Sequence, residues 1–206
     1  MKWTKHRAVM ISAGLTVLSV ALALIRRTPA CLLAALAMAI STFADALLAG
    51  IPDCFARVKD RLTKGGLVFF CAHILYILAL ILSSGKDISA LWPLFTLPFA
   101  VFFAVTAAHG AVFYFRPRSS VPRSFYAASS LYLLTVGIHA AAAVTVYRAT
   151  GGGYTLNVAG TLLFYLSDSI LLAQKYGSVR GKHVPAMIWA SYIPAQFCLI
   201  FGFFLA

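Results

Sequence analysis

Two aspartates stand where a carboxylate is expensive. Asp45 lies in "FADALLAG" and Asp168 in "LLFYLSDSILLAQKY", each inside an apolar run. A charged side chain at the centre of a bilayer costs roughly 2.5–3.5 kcal/mol on insertion scales, so such residues face a cavity or a partner. Two carboxylates in different surroundings suit acid/base chemistry, one holding a proton while the other stays ionised. The chain has no glutamate, and Asp53, Asp60 and Asp87 fall between apolar runs, where water can solvate them. Ser167 and Ser169 flank Asp168 and are candidate donors to it.

The elements that must hold these groups follow from composition. Of 206 residues, 62% are hydrophobic and 11% charged. Apolar runs of membrane-spanning length recur from end to end. The expected fold is all-α, a polytopic transmembrane bundle forming a single integral membrane domain over 1–206. Seven spans are expected, at about 8–25, 30–50, 66–84, 90–115, 125–147, 155–173 and 186–205. The first has a basic start like a signal peptide but no small-x-small cleavage site before Arg26-Arg27, and is read as a retained helix. Pro93 and Pro98 near the start of the fourth are tolerated there or kink it. "GGG" at 151–153 is a turn.

Basic residues set the orientation. The N-terminal tail and the second, fourth and sixth connections carry thirteen of the 17 Lys and Arg residues. Arg26, Arg27, Lys86 and Arg148 are left for the other side. By the positive-inside rule the N-terminus is cytoplasmic and the C-terminus outside. The net charge of +12 is then a topological signal. It calls for no nucleic-acid partner and favours anionic headgroups at the cytoplasmic face. "RPRSSVPRS" at 116–124 is read as a cytoplasmic anchor and "RVKDRLTK" at 57–64 as a short interfacial helix. Cys31, Cys54, Cys71 and Cys198 form no C-x-x-C pair and are read as small buried hydrophobes.

Orientation gives depth, at about 1.5 Å per residue. Measured from the cytoplasmic edge, Asp45 lies about 8 Å deep and Asp168, His109 and Tyr192 about 9 Å. Tyr132 lies about 10 Å, His73 about 11 Å and Gln196 about 15 Å deep. Helices of opposite direction thus place polar groups in one layer. His73 and Tyr76 share a helix face at i, i+3, and Trp189, Tyr192 and Gln196 share one at i, i+3, i+7. Helix 1 offers Ser12 at similar depth. His139, about 21 Å from the same edge, falls outside the layer and is read as a structural group of the outer half.

Four blocks in this order, "FADALLAG", "GLVFFCAHILYILAL", "LLFYLSDSILLAQKY" and "SYIPAQ", resemble the YhhN-type lysoplasmalogenases over about residues 31–200. Ala44 stands where that family has Gly before its first Asp, and the family is described with eight spans. The resemblance implies a multi-pass protein of a bacterial inner membrane that hydrolyses the vinyl-ether bond of lysoplasmalogens. The products would be a fatty aldehyde and glycerophosphoethanolamine or glycerophosphocholine. It implies Asp45 and Asp168 as catalytic acids, with His73, Tyr76, Tyr192 and Gln196 lining a pocket for a lysophospholipid substrate among membrane lipids. His109, Tyr132, Ser167 and Ser169 join the substrate-binding set by depth and adjacency.

The chemistry suits the residues. A vinyl ether is hydrolysed by protonating its β-carbon, giving an oxocarbenium ion that water attacks. Glycosidases use two carboxylates around a similar cation. With hydroxyls beside it, Asp168 is read as the ionised group and Asp45 as the acid, the reverse assignment staying open. No cofactor or metal is called for. A proton-coupled transporter would also place Asp and His in the membrane, but no inverted repeat or matched pair of broken helices is visible. A metal-dependent lipid hydrolase would use Asp45, Asp168, His73 and His109, without an H-E-x-x-H or H-x-x-x-H motif. A scaffold whose Asp pair is structural is the remaining alternative.

Overall fold

In the computed structural model, residues 2–51, 60–115, 123–176 and 179–205 are described. Seven helices run in order: α1 (Lys2–Arg26), α2 (Pro29–Ala49), α3 (Arg61–Ser84), α4 (Ile88–Phe115), α5 (Arg123–Ala149), α6 (Thr155–Lys175) and α7 (Val184–Leu205). All seven are long and apolar enough to cross a membrane. Each overlaps one of the expected spans, and the described residues contain no strand.

Local sequence explains the ends. Thr28 caps α2 by accepting from the Cys31 N–H at 3.2 Å, with Pro29 in the first turn. Gly50 closes α2 in the left-handed region (φ 75°), a conformation glycine adopts without a Cβ clash. Asp60 caps α3, accepting from the Thr63 N–H and hydroxyl at 2.9 Å each. This cap starts α3 five residues before the apolar run at 66 suggests. Arg61–Lys64, part of the segment read as an interfacial helix, form its first turn. Residues 57–59, most of the 116–124 anchor and Cys54 lie outside the described residues. The Gly151–Gly153 segment forms the α5–α6 turn. Both Pro93 and Pro98 stay within α4.

Helix neighbours define the architecture. α1 packs on α2, α2 on α3, α3 on α5, α5 on α6, α6 on α7, and α7 returns to α1. Six helices therefore close a ring. α4 lies outside it against α5, with Trp92, Leu97, Val101, Phe103 and Phe115 exposed. The ring is filled by Phe69, Tyr76, Leu80, Phe164 and Leu199. Of the cysteines, Cys31 is buried, Cys198 half-buried and Cys71 exposed on α3, so the buried reading holds for Cys31 alone among the described cysteines. Cys71 falls two residues before His73, on the opposite side of the helix from that buried ring.

Opposite ends of the bundle are tied separately. At one end Lys175 of α6 pairs with Asp60 at 2.8 Å. At the other, Tyr154 donates to the Ser83 carbonyl at 2.8 Å and the Arg26 guanidinium to the Phe204 carbonyl. α6 and α7 approach closely at Gly160, where a Cβ would stand 3.0 Å from the Ala195 carbonyl oxygen and from side-chain atoms of Cys198 and Leu199.

Gly160→Val is expected to push α6 from α7 and destabilise the protein by about 1–3 kcal/mol, the usual cost of overpacking. A lowered thermal midpoint in detergent would show it; an unchanged midpoint would contradict the close approach. Asp60 gives a pH test. Partial burial opposes its charge, but Lys175 and the Thr63 donors outweigh that and hold its carboxyl below the ordinary value. A carboxyl lowered on folding adds stability above its unfolded pKa, near 3.9, and loses it as pH falls through the folded value. Asp60→Asn should therefore lower the midpoint at pH 7, with the gap to wild type closing in acid.

Candidate active site

The centre of the ring is polar although its walls are apolar. α2 brings Asp45 inward, 4% exposed, and α6 brings Asp168, 6% exposed. Asp45 accepts two hydroxyl donors on the same oxygen, Ser12 of α1 at 2.5 Å and Tyr192 of α7 at 2.7 Å. Gln196 lies one turn beyond Tyr192 and donates to the Tyr192 oxygen at 2.8 Å. Asp168 accepts from Tyr132 of α5 at 2.5 Å. Each carboxylate is thus met by a phenol from a neighbouring helix. The two arms are linked by ring contacts, Tyr192 packing on Phe164 and Phe164 on His73, which lies 6.1 Å from Tyr132.

A second layer adjoins this pair. His73 of α3 and His139 of α5 meet through their Nδ1 atoms at 3.0 Å, so one nitrogen donates and the other accepts. The His139 ring lies flat on Tyr76, centroids 5.4 Å apart and 4° between planes. The His73 ring meets Phe164 edge-on at 4.6 Å and lies 6.1 Å from Tyr132. Phe69, Phe164 and Tyr192 pack mutually in T-shaped contacts. These rings separate the carboxylates from lipid and fix the phenols that reach them.

Most of the residues singled out from the sequence come together here: Asp45, Asp168, His73, Tyr76, Tyr132, Tyr192 and Gln196. Three do not behave as expected. His109 sits on α4, outside the ring, beside Thr106, Gly110, Ser130 and Tyr176. Its depth was right for the layer, but depth carries no information about which way a helix faces or which helix the ring excludes. Ser167 donates to the Ile188 carbonyl of α7 at 3.2 Å, so this hydroxyl joins helices instead of serving Asp168. Successive helical side chains point about 100° apart, which carries the flanking serines away from the carboxylate. Ser169 is half-buried on the same helix.

Two residues carry more than their sequence alone suggests. His139, read as an outer-half structural group, bonds directly to His73. The early cap at Asp60 explains this: with α3 starting at Arg61, His73 lies about 18 Å along its helix, and His139 about 24 Å along α5. Ser12 had the right depth but no sequence motif to mark it. Among the described residues, no three His, Cys, Asp or Glu side chains gather as metal ligands would. The two inner histidines are instead bonded to one another.

A model of the YhhN family matches residues 7–203, nearly the whole chain. The chain belongs to the YhhN family. No curated protein and no solved structure matches it. The match takes in most of every helix of the ring and all the polar side chains at its centre.

Removing single donors should separate the two arms. Tyr132→Phe removes the hydroxyl donor of Asp168, whereas Ser12→Ala leaves Tyr192 on Asp45. Each buried bond lost costs about 1 kcal/mol, and Tyr132→Phe is expected to lower the thermal midpoint more than Ser12→Ala, because only Asp168 is left with no donor. Equal shifts would count against the donor arrangement.

Proposed function

We propose that this YhhN-family chain is a lysoplasmalogenase, cleaving the vinyl-ether bond of a lysoplasmalogen to release a fatty aldehyde and glycerophosphoethanolamine or glycerophosphocholine. The observation that carries this reading is the pair of buried carboxylates, each held by a phenolic hydroxyl, inside a ring of apolar helices. A single-chain lipid can bring its ether bond to such a site from the side, keeping its headgroup at the membrane surface.

The reaction needs a proton on the β-carbon of the vinyl ether. The resulting oxocarbenium ion is stabilised by a nearby carboxylate, as in glycosidases. Water then adds to the cation while the carboxylate takes up its proton, giving a hemiacetal. Collapse of the hemiacetal breaks the C–O bond and releases aldehyde and the glycerol hydroxyl. Hydrogen bonds to a carboxylate favour its charged form. Asp45 has two hydroxyl donors and Asp168 one, so Asp45 takes the ionised role and Asp168 the acid. This reverses the assignment drawn from the flanking serines, because those hydroxyls do not serve Asp168. Tyr192 and Ser12 hold the charged partner, and Tyr132 sets the direction from which Asp168 presents its proton.

The proposed setting is a bacterial inner membrane, and the positive-inside rule supports an N-terminus in the cytoplasm and a C-terminus outside. The carboxylate end of the bundle then faces the cytoplasm, with Lys175 and Arg61 at the headgroup level.

Incubation of purified protein with lysoplasmalogen and with its saturated ether analogue tests the reading. Aldehyde should form from the vinyl ether alone. Asp45→Asn and Asp168→Asn should each reduce aldehyde release by about 100-fold or more, the range of a general acid or base. Full aldehyde release by both variants would sink the two-carboxylate mechanism. Substrate uptake into vesicles without any product would favour a carrier.

A further inference from the structure

A polar cavity lies at the opposite end of the bundle from the carboxylates. It measures about 360 Å³ and lies where the α1–α2 turn meets the ends of α3 and α7 and the start of α6. That volume lies within the range of small-molecule sites, about 300–1,000 Å³. Its polar lining comes from Arg26, Thr28, Cys31, Ser83 and Tyr154, and its apolar lining includes Phe203. Cys31 and Asp45 are fourteen residues apart on α2, about 21 Å along the helix. A group bound here is therefore remote from the carboxylate pair.

Hydrogen-bond accounting narrows what would fit. Ser83 donates to the Leu80 carbonyl and Tyr154 to the Ser83 carbonyl, so both hydroxyl protons are engaged. The Cys31 thiol points to the Phe203 carbonyl at 3.5 Å. Arg26 spends its Nε and one terminal nitrogen on the Phe204 carbonyl and lies over the Phe204 ring at 5.2 Å. A guanidinium has five N–H donors, so the other terminal nitrogen remains to bond a ligand. It is presented on a side chain already fixed in place. Among the described residues, no carboxylate lines the cavity to neutralise it. The next residue, Arg27, has φ 53°, the one non-glycine in the left-handed region among the described residues.

We propose that this cavity binds the phosphate group of a membrane phospholipid, as a site separate from the carboxylate pair. Guanidinium groups bind phosphate oxygens through paired, charge-assisted hydrogen bonds. Leu82, Ala30 and Phe203 supply an apolar surface for the glycerol and upper chain. The position at the helix ends matches the level of lipid headgroups.

The test uses the purified full chain in detergent and three probes: dioleoylphosphatidylglycerol, dioleoylglycerol with the same tails but no phosphate, and inorganic phosphate alone. Binding is read by thermal shift and by native mass spectrometry. Phosphatidylglycerol should stabilise the protein saturably, and dioleoylglycerol should not. Arg26→Gln should weaken phosphatidylglycerol binding at least 10-fold. Leu82→Trp, which fills the cavity from an exposed position and keeps the Arg26 charge, should weaken it similarly. Arg148→Gln, at an exposed base outside the lining, should leave it unchanged. Binding of inorganic phosphate with the same dependence on Arg26 would support the phosphate site with a soluble source as its ligand. Wild-type lipid binding by both Arg26→Gln and Leu82→Trp, or equal binding of dioleoylglycerol, would overturn the proposal.

Discussion

A buried carboxylate must be given donors, and in this protein the donors come from other helices. Ser12 and Tyr192 reach Asp45 from α1 and α7, and Tyr132 reaches Asp168 from α5. An uncompensated charge in hydrocarbon would be too costly to keep. The closure of six helices into a ring is what delivers those hydroxyls at 2.5–2.7 Å. Stability and chemistry thus rest on the same contacts. The bonds that make two intramembrane acids tolerable also differentiate them, two donors on one and one on the other.

The aromatic residues around the pair serve the same constraint. Phe69, Phe164 and Tyr192 interlock edge to face, and Tyr76 stacks on His139. Rigid rings leave the phenols few rotamers to explore, so their hydroxyls remain aimed at the carboxylates. Close helix approach at Gly160 brings α7, with Tyr192 and Gln196, near α6 and Asp168. α4 contributes little to this interior. Its apolar exposed faces suit lipid, and its link to the ring includes the hydroxyl pair Thr106–Tyr165 at 2.8 Å.

The individual residues show how far the sequence could be read. Asp45 and Asp168 were legible because a carboxylate in an apolar run has few structural reasons to exist. Tyr132 and Tyr192 followed from depth, and the structure joins each to one of those acids. His109 had the same depth and is excluded, because α4 stands outside the ring. His139 lies far along α5, as its position in the sequence suggests, and it meets His73 because a single cap, Asp60, begins α3 earlier than hydropathy suggests and moves His73 deeper. The serines beside Asp168 were read as its donors from adjacency, but adjacency along a helix turns side chains apart.

What the sequence determined by itself was the number of helices, their approximate limits and the identity of the costly acids. Those features depend on composition along one dimension, and the hydrophobic effect reads composition directly. Which helices neighbour one another, and hence which hydroxyl meets which carboxylate, was decided by the tertiary structure. Helix azimuth and neighbour order depend on packing between segments far apart in the chain, such as Ser12 with Asp45 or Tyr192 with Asp45. No local pattern encodes that pairing, because each partner on its own is an ordinary serine or tyrosine in an apolar helix.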